Sequence, residues 1–330
     1  MTTGTSTELV GAPVVSAAKP AEAVNPGARN TMIGVFFGLS TAVVWAGWAV
    51  ATRFAMKTTL APHDVTFLRY SVSCLVLLPV LIKNGFALKQ IGWVRLIVMV
   101  VGAGAPFMLL TSTGMRFAPA SHVATLMIGA MPLFVALMAA VLFRQRFNRM
   151  QVLGFATVLA GVACIGGYAI VFDRSAGGEW RGDALFVLCG ILFAGYTHAQ
   201  RRSGITALHA ASLVSTCSFV AFSPFYFFVF HSNLATAPRQ EVVFQTFAQG
   251  IGIAVLGLLL YGEAVRRLGA ARGAVAGSLV PGLASLFAAP LLGEFPRAST
   301  VVGVVLVSVG VLLVTGVLSR RTAEPAAAGR

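Results

Sequence analysis

From Met32 to Leu318 the chain reads as a succession of apolar stretches, each closed by a short polar or basic joint. A bilayer core of roughly 30 Å is crossed by about 20 apolar residues in helical form. Spans are expected near 32–55, 64–83, 93–113, 120–143, 150–172, 183–203, 207–230, 242–265, 272–292 and 298–318. Only 10% of the residues are charged and 57% are hydrophobic, against roughly 25% charged in an average soluble domain. So few charges cannot cover a water-soluble surface, so the partner of that surface is the lipid bilayer. The chain therefore reads as an all-α integral membrane protein with ten transmembrane helices.

The formal charge of +14 does not indicate nucleic acid. Its Lys and Arg fall in ones to threes between apolar runs and form no basic arm or domain. Their placement sets an orientation instead. Arg144, Arg146 and Arg149, then Arg201 and Arg202, then Arg266, Arg267 and Arg272, then Arg320 and Arg321 fall on one side. The other side holds sparser charges, among them Lys57, Arg116, Arg174, Arg181, Arg239 and Arg297. Cytoplasmic N- and C-termini and a cell inner membrane follow as expectations. Residues 1–30 are rich in Ala, Thr, Pro and Val and lack the basic-then-apolar order of a secretory signal. They read as a disordered cytoplasmic tail, and 319–330 as a second one. Cys74, Cys164, Cys189 and Cys217 lie singly in apolar runs with no ligand spacing, so no metal site is expected.

Within those spans the sequence repeats itself. Pro132 and Pro281 stand 149 positions apart, and without a gap the same shift aligns Ala139 with Ala288, Leu142 with Leu291, Gly154 with Gly303, Gly161 with Gly310 and Gly167 with Gly316. A shift of 148 aligns Gly34, Gly47 and Arg53 with Gly182, Gly195 and Arg201. The units are 31–172 and 183–318, of five spans each. Five is odd, so the second unit enters the membrane upside down. Two inverted five-helix repeats are the signature of a secondary transporter, with its site near the midplane between the halves. The charges agree: Arg144-Gln145-Arg146 ends the fourth span, while its counterpart on the other side reads Gly293-Glu294-Phe295.

This pattern resembles the EamA-type branch of the drug/metabolite transporter superfamily. The resemblance rests on the two five-span halves, on a P-x(12)-E frame followed by a glycine-rich span, and on the segment WAGWAVATRFA…FLRYSVSCLVLLPVL with its Leu68-Arg69. It covers about 33–318 and implies a transporter of small molecules, with export the family-weighted direction. The first copy has Gln145 where the family pattern has Glu, and the second has no equivalent of Arg69.

Candidate substrate contacts come from the first span and its repeat. Thr41, Trp45, Trp48 and Thr52 recur at helical spacing, and Trp45 lies about 18 Å beyond Ile33 along the helix. That depth is unusual for tryptophan, which favours interfaces. The matching stripe reads Phe193, Tyr196 and Gln200. Lining a shared cavity is one role for the two stripes, and wedging helices apart is the other. Met127, Met131 and Ser278 join them on the fourth and ninth spans, where methionine offers an adaptable apolar wall. Gate or coupling candidates are Arg53, Glu263, Pro132 and Pro281. The prolines interrupt spans where neighbours and water can satisfy the freed backbone. Glu263 would carry protons as the coupling ion, although Arg266 and Arg267 at i+3 and i+4 offer it a local ion pair. Arg69 is expected to snorkel to the interface near Asp64, and His122 to sit there as a polar residue.

No Walker loop, H-E-x-x-H or G-x-S-x-G occurs, which disfavours an ATP-driven pump or a membrane hydrolase. Nothing calls for a cofactor. The expected function is secondary active transport of a small metabolite, amino acid or amphipathic compound by alternating access. A channel or facilitator without ion coupling, or a non-transporting membrane enzyme or scaffold, is the alternative.

Overall fold

The computed structural model describes residues 28–171, 178–269 and 275–315. Most of the expected tail at 1–30, all of that at 319–330, and Arg174 and Arg272 lie outside the described residues. Regular structure among the described residues is helical throughout. Ten helices are long and apolar enough to cross a bilayer: α1 (Ala28–Lys57), α2 (Pro62–Asn84), α3 (Trp93–Phe117), α4 (Ala120–Phe143), α5 (Arg149–Val171), α6 (Glu179–Ser203), α7 (Ala207–Phe228), α8 (Arg239–Leu268), α9 (Val275–Leu292) and α10 (Ala298–Thr315).

Several helices start before the apolar run does, because polar residues and proline open them. In α2, Pro62 takes the first turn, where its missing N–H costs nothing. Asp64 Oδ2 there accepts the Ala61 N–H at 2.9 Å. The α8 helix likewise begins at Arg239 rather than 242, directly after Pro238, and α6 at Glu179 rather than 183. Hydropathy marks where lipid begins, not where the helix does.

The inverted symmetry is visible in one contact. α5 and α10 approach so closely that a Cβ on Gly154 would stand 2.8 Å from the Gly310 carbonyl oxygen, and one on Gly161 2.8 Å from that of Gly303. Since Gly154 matches Gly303 and Gly161 matches Gly310, exchanging the two halves maps one crossing onto the other. Small residues permit such backbone approach in lipid, where packing drives association.

The first helix of each half lies with the other half. α1 runs along α8 and α9, and α6 along α3 and α4; α2 pairs with α7 and α5 with α10. The bundle thus holds two central groups, α1–α8–α9 and α3–α4–α6. They meet unevenly. α1 packs on the Ala105–Phe117 part of α3 but makes at most marginal contact with Trp93–Ala103. In the same way α9 packs on the Ala120–Gly129 part of α4 and at most marginally on Met131–Phe143. One mouth is therefore closed by helix packing. At the other, which carries Arg144, Arg201, Arg202, Arg266 and Arg267 and is called here the basic mouth, the described helices of the two groups pack on each other at most marginally.

Helix breaks differ between the halves. α3 is interrupted at Gly104, and the Ala105 N–H freed there donates to Ser218 Oγ of α7 at 3.1 Å. Proline at 106 follows. α4 is wound as π-helix over Val123–Gly129, with the Ala130 N–H reaching Thr125 O at 3.0 Å. The Pro132 ring, which has no N–H to give, sits just beyond. α9 runs as unbroken α-helix through Pro281. The matched prolines therefore do not mark matched hinges: only Pro132 adjoins a break, and Pro281 packs its ring near Gly129 of α4.

Candidate functional site

At the closed mouth the two central groups are cross-linked by polar side chains. Arg53, one turn before the end of α1, donates Nε–H to Glu294 Oε1 at 2.6 Å and Nη1–H to the Met115 carbonyl of α3. Both side chains of this pair are mostly buried, with 13% and 12% exposure. Glu294 Oε2 accepts the Ala120 N–H at 3.1 Å, so the carboxylate also caps α4. Lys57 Nζ adds bonds to Leu292 O at 3.0 Å and Glu294 at 3.4 Å. Beside it, buried His122 of α4 donates Nδ1–H to buried Asp183 of α6 at 2.8 Å, and Thr300 Oγ1 of α10 lies 3.4 Å from Nε2. Arg297 meets Glu179 at 3.4 Å. Arg53, Lys57, His122, Glu294, Arg297 and Thr300 are among the residues that line a polar cavity of about 280 Å³ here.

At the basic mouth the hydrogen bonds among the described residues run within each group. Arg267 donates to Asn30 at 2.7 Å, linking α8 to α1. His198 of α6 meets Val135 O of α4 at 2.9 Å, and the Arg202 guanidinium lies 3.8 Å over the Phe143 ring, again joining α6 to α4.

Mid-span, α1 and α8 share a buried polar network. Trp48 Nε1–H donates to Gln249 Oε1 at 2.8 Å. Gln249 Nε2 donates to Thr52 Oγ1 at 2.8 Å and to Gln245 Oε1 at 3.2 Å, and Gln245 Nε2 to Ala51 O at 2.7 Å. Both N–H groups of the Gln249 amide and its oxygen find partners, as buried polar groups require. Next to it the Arg69 guanidinium of α2 stands 5.8 Å from the Trp48 ring and 5.7 Å from that of Tyr70. Arg69 Nη1 is buried without a hydrogen-bond acceptor. The side chain thus turns into the bundle rather than snorkelling. Asp64, the acid expected nearby, is fully buried and occupied by Tyr226 Oη at 2.7 Å and Ser232 Oγ at 3.3 Å.

The two expected stripes are placed on different neighbours. Trp45 lies 5.5 Å from Tyr261 of α8, centroid to centroid, and against Gly257. Thr41 is buried and gives its hydroxyl to Phe37 O of its own helix. Phe193 instead packs 5.9 Å from Phe107 of α3, and Tyr196 packs where a Cβ on Gly102 would stand 2.9 Å from its own. Gln200 donates to Ile205 O at 3.1 Å. The stripes share one apolar cluster through Trp45, Trp48 and Phe193, but each packs on the helix its own group supplies.

The remaining candidates scatter. Met127 is buried, with Sδ 3.7 Å from the Thr111 hydroxyl, and Met131 is half-buried at the end of the π segment. Buried Ser278 donates to Val275 O at 2.7 Å, so its hydroxyl serves its own helix. Glu263 is not in the interior; it is paired with Arg266 at 2.7 Å and Arg267 at 3.1 Å. Sequence reasoning missed Gln245, Gln249, the His122–Asp183 pair and the inward Arg69. Gln245 and Gln249, two amides four residues apart in an apolar span, were a readable signal; the inward turn of Arg69 was not.

Comparison with known proteins agrees with this architecture. The EamA-like transporter family matches twice, over residues 32–167 and 180–316. A probable terminal-alkyne amino-acid exporter from Streptantibioticus cattleyicolor is 30% identical over 230 residues, covering 68% of this chain and 73% of that protein. One crystal structure superposes on 90% of this chain and 99% of its own with a TM-score of 0.59; at 19% identity the likeness is one of fold. With two helical units inverted about one bundle and the family pattern falling on both, the chain belongs to the EamA-like transporter family and is a membrane transporter.

Proposed function

We propose that the protein is a secondary transporter that exports a small amphipathic metabolite of amino-acid type by alternating access. It would stand here in the state open at its basic mouth, with that mouth and both chain ends in the cytoplasm and the helices in the inner membrane. The observation that carries this reading is the one-sided closure: at one mouth the paired Arg53 and Glu294 of the first group bond the Met115 carbonyl and the Ala120 N–H of the second, while at the other the hydrogen bonds among the described residues stay within each group. A transporter between two such states exposes its interior to one side at a time. The concentration of Lys and Arg at the open mouth supports the assigned sidedness. The amino-acid class is supported by the printed name of the Streptantibioticus relative.

Protons remain the candidate coupling ion. Glu263 lends that idea no support, because its carboxylate is occupied by two arginines on its own helix. The test is counterflow in proteoliposomes. A transporter gives saturable uptake of labelled L-norleucine driven by unlabelled norleucine inside. Flux that rises linearly with concentration, with single-channel currents, would establish the channel alternative.

A further inference from the structure

We infer that Arg69 is the anchor for a carboxylate on the transported molecule. The inference rests on the transport reading and narrows its substrate class. From Pro62 to Arg69 the helix rises about 10 Å, which puts the guanidinium well inside the span. No ion pair to Arg69 occurs among the described residues, and Nη1 is buried without an acceptor. A charge held there is expensive unless something compensates it, and such residues mark substrate or ion paths. The faces of Trp48 and Tyr70 compensate in part, by cation–π attraction.

None of the neighbouring polar groups reaches Nη1. The Gln249 amide is turned to Trp48, Thr52 and Gln245. The Tyr70 hydroxyl donates to Ala103 O at 2.8 Å, and its oxygen is a neutral acceptor beside the guanidinium that still leaves Nη1 unmet. Asp64 is held by Tyr226 and Ser232. What is left is a half-buried planar donor fork between two aromatic faces with an unmet N–H. A planar anion with two oxygens fits that fork, and charge-assisted bidentate bonds to it are strong. The aromatic faces suit an apolar chain attached to the anion. The position is also single: the repeat shift of 148 carries Arg69 onto Cys217, so one molecule holds one anchor.

The experiment uses the full chain in detergent and three probes of one chain length: L-norleucine, hexanoate and L-norleucinamide. The two carboxylates should raise the Tm in a saturable way, and the amide should not. Arg69→Gln should weaken carboxylate binding by about 10–100-fold. Arg69→Lys, which keeps the charge but not the fork, should fall between. If Arg69→Gln does not fold, the Lys variant decides, and unchanged carboxylate affinity overturns the inference. So does a wild type that ignores both carboxylates, or a shift equal for acid and amide. Wild-type norleucine counterflow is measured separately, so that loss of the anchor and loss of the transport reading give different results.

Discussion

The two mouths are cut from repeat-related positions and yet hold differently. Arg53 and Glu294 close one; the shifts of 148 and 149 carry them onto Arg201 and Gln145 at the other. Both of those residues are exposed there. Lys57 maps onto Ile205 and Asp183 onto Val35 in the same way. On the proposed alternating-access cycle the duplicated scaffold would supply two equivalent closures, of which only one could be ionic: at the basic mouth the arginine would meet a neutral amide. Divergence at a few mouth residues would then set which state is favoured.

The largest effect should come from removing the arginine of the ionic closure. Arg53→Ala leaves Glu294 largely buried with a backbone N–H and a distant Lys57. Breaking one partner from a buried pair costs about 3–5 kcal/mol, and the same change removes the bond to the Met115 carbonyl that joins the two groups at the closed mouth. Ser121 lines the cavity at this mouth. In a cysteine-free background, Ser121→Cys should react with an impermeant maleimide at least about a hundredfold faster when Arg53 is Ala. Unchanged reactivity would mean that helix packing alone holds this mouth and that the contrast between mouths is not electrostatic.

Asp183→Asn should act in the same direction and less. The amide keeps the shape and can still accept from His122 Nδ1, so what is lost is the charge assistance of the 2.8 Å bond. That is about 1 kcal/mol, a roughly fivefold rise in Ser121→Cys labelling. An effect as large as that of Arg53→Ala would mean that the fit of α4 on α6, inside one group, governs the closure as strongly as the bonds of Arg53 and Glu294 between the groups.

Much of this architecture could be read in advance because lipid imposes it. Span length, the inverted repeat and the glycine pairs Gly154/Gly303 and Gly161/Gly310 follow from hydropathy and periodicity. The side-chain sites were less legible, for a physical reason. On a helix buried on several sides, spacing says which residues share a face but not which neighbour that face meets. So Trp45 and Trp48 meet α8, through Tyr261 and Gln249, rather than the stripe of α6. Proline misled similarly. Pro132 and Pro281 are matched in sequence, but of their two helices only α4 takes up a π segment, because the bond missing at a proline can be absorbed by a register slip or by neighbouring groups; α8 winds a π segment over Thr246–Gly257 with no proline in it. Glu294 was legible as a dropped arginine but not as the partner of Arg53, since that contact spans 241 positions.

The smallest expected effect gives the sharpest test of the inverted geometry. Gln145→Glu offers Arg201 an anion at the basic mouth. While that mouth is open the new carboxylate is solvated and flanked by Arg144 and Arg146, so it changes little. It gains a structured partner only when the mouth closes, and a rim ion pair contributes about 0.5–1 kcal/mol. The equilibrium should therefore move a few-fold toward the other state, read as a two- to fivefold rise in Ser121→Cys labelling. Combined with Glu294→Gln, the substitution should reverse the preference between mouths, because charge has then been exchanged between symmetry-equivalent sites. If Arg53→Ala opens its mouth but Gln145→Glu moves nothing, residues 145 and 201 do not meet in the second state. The basic mouth would then close by some route other than the mirror of the first.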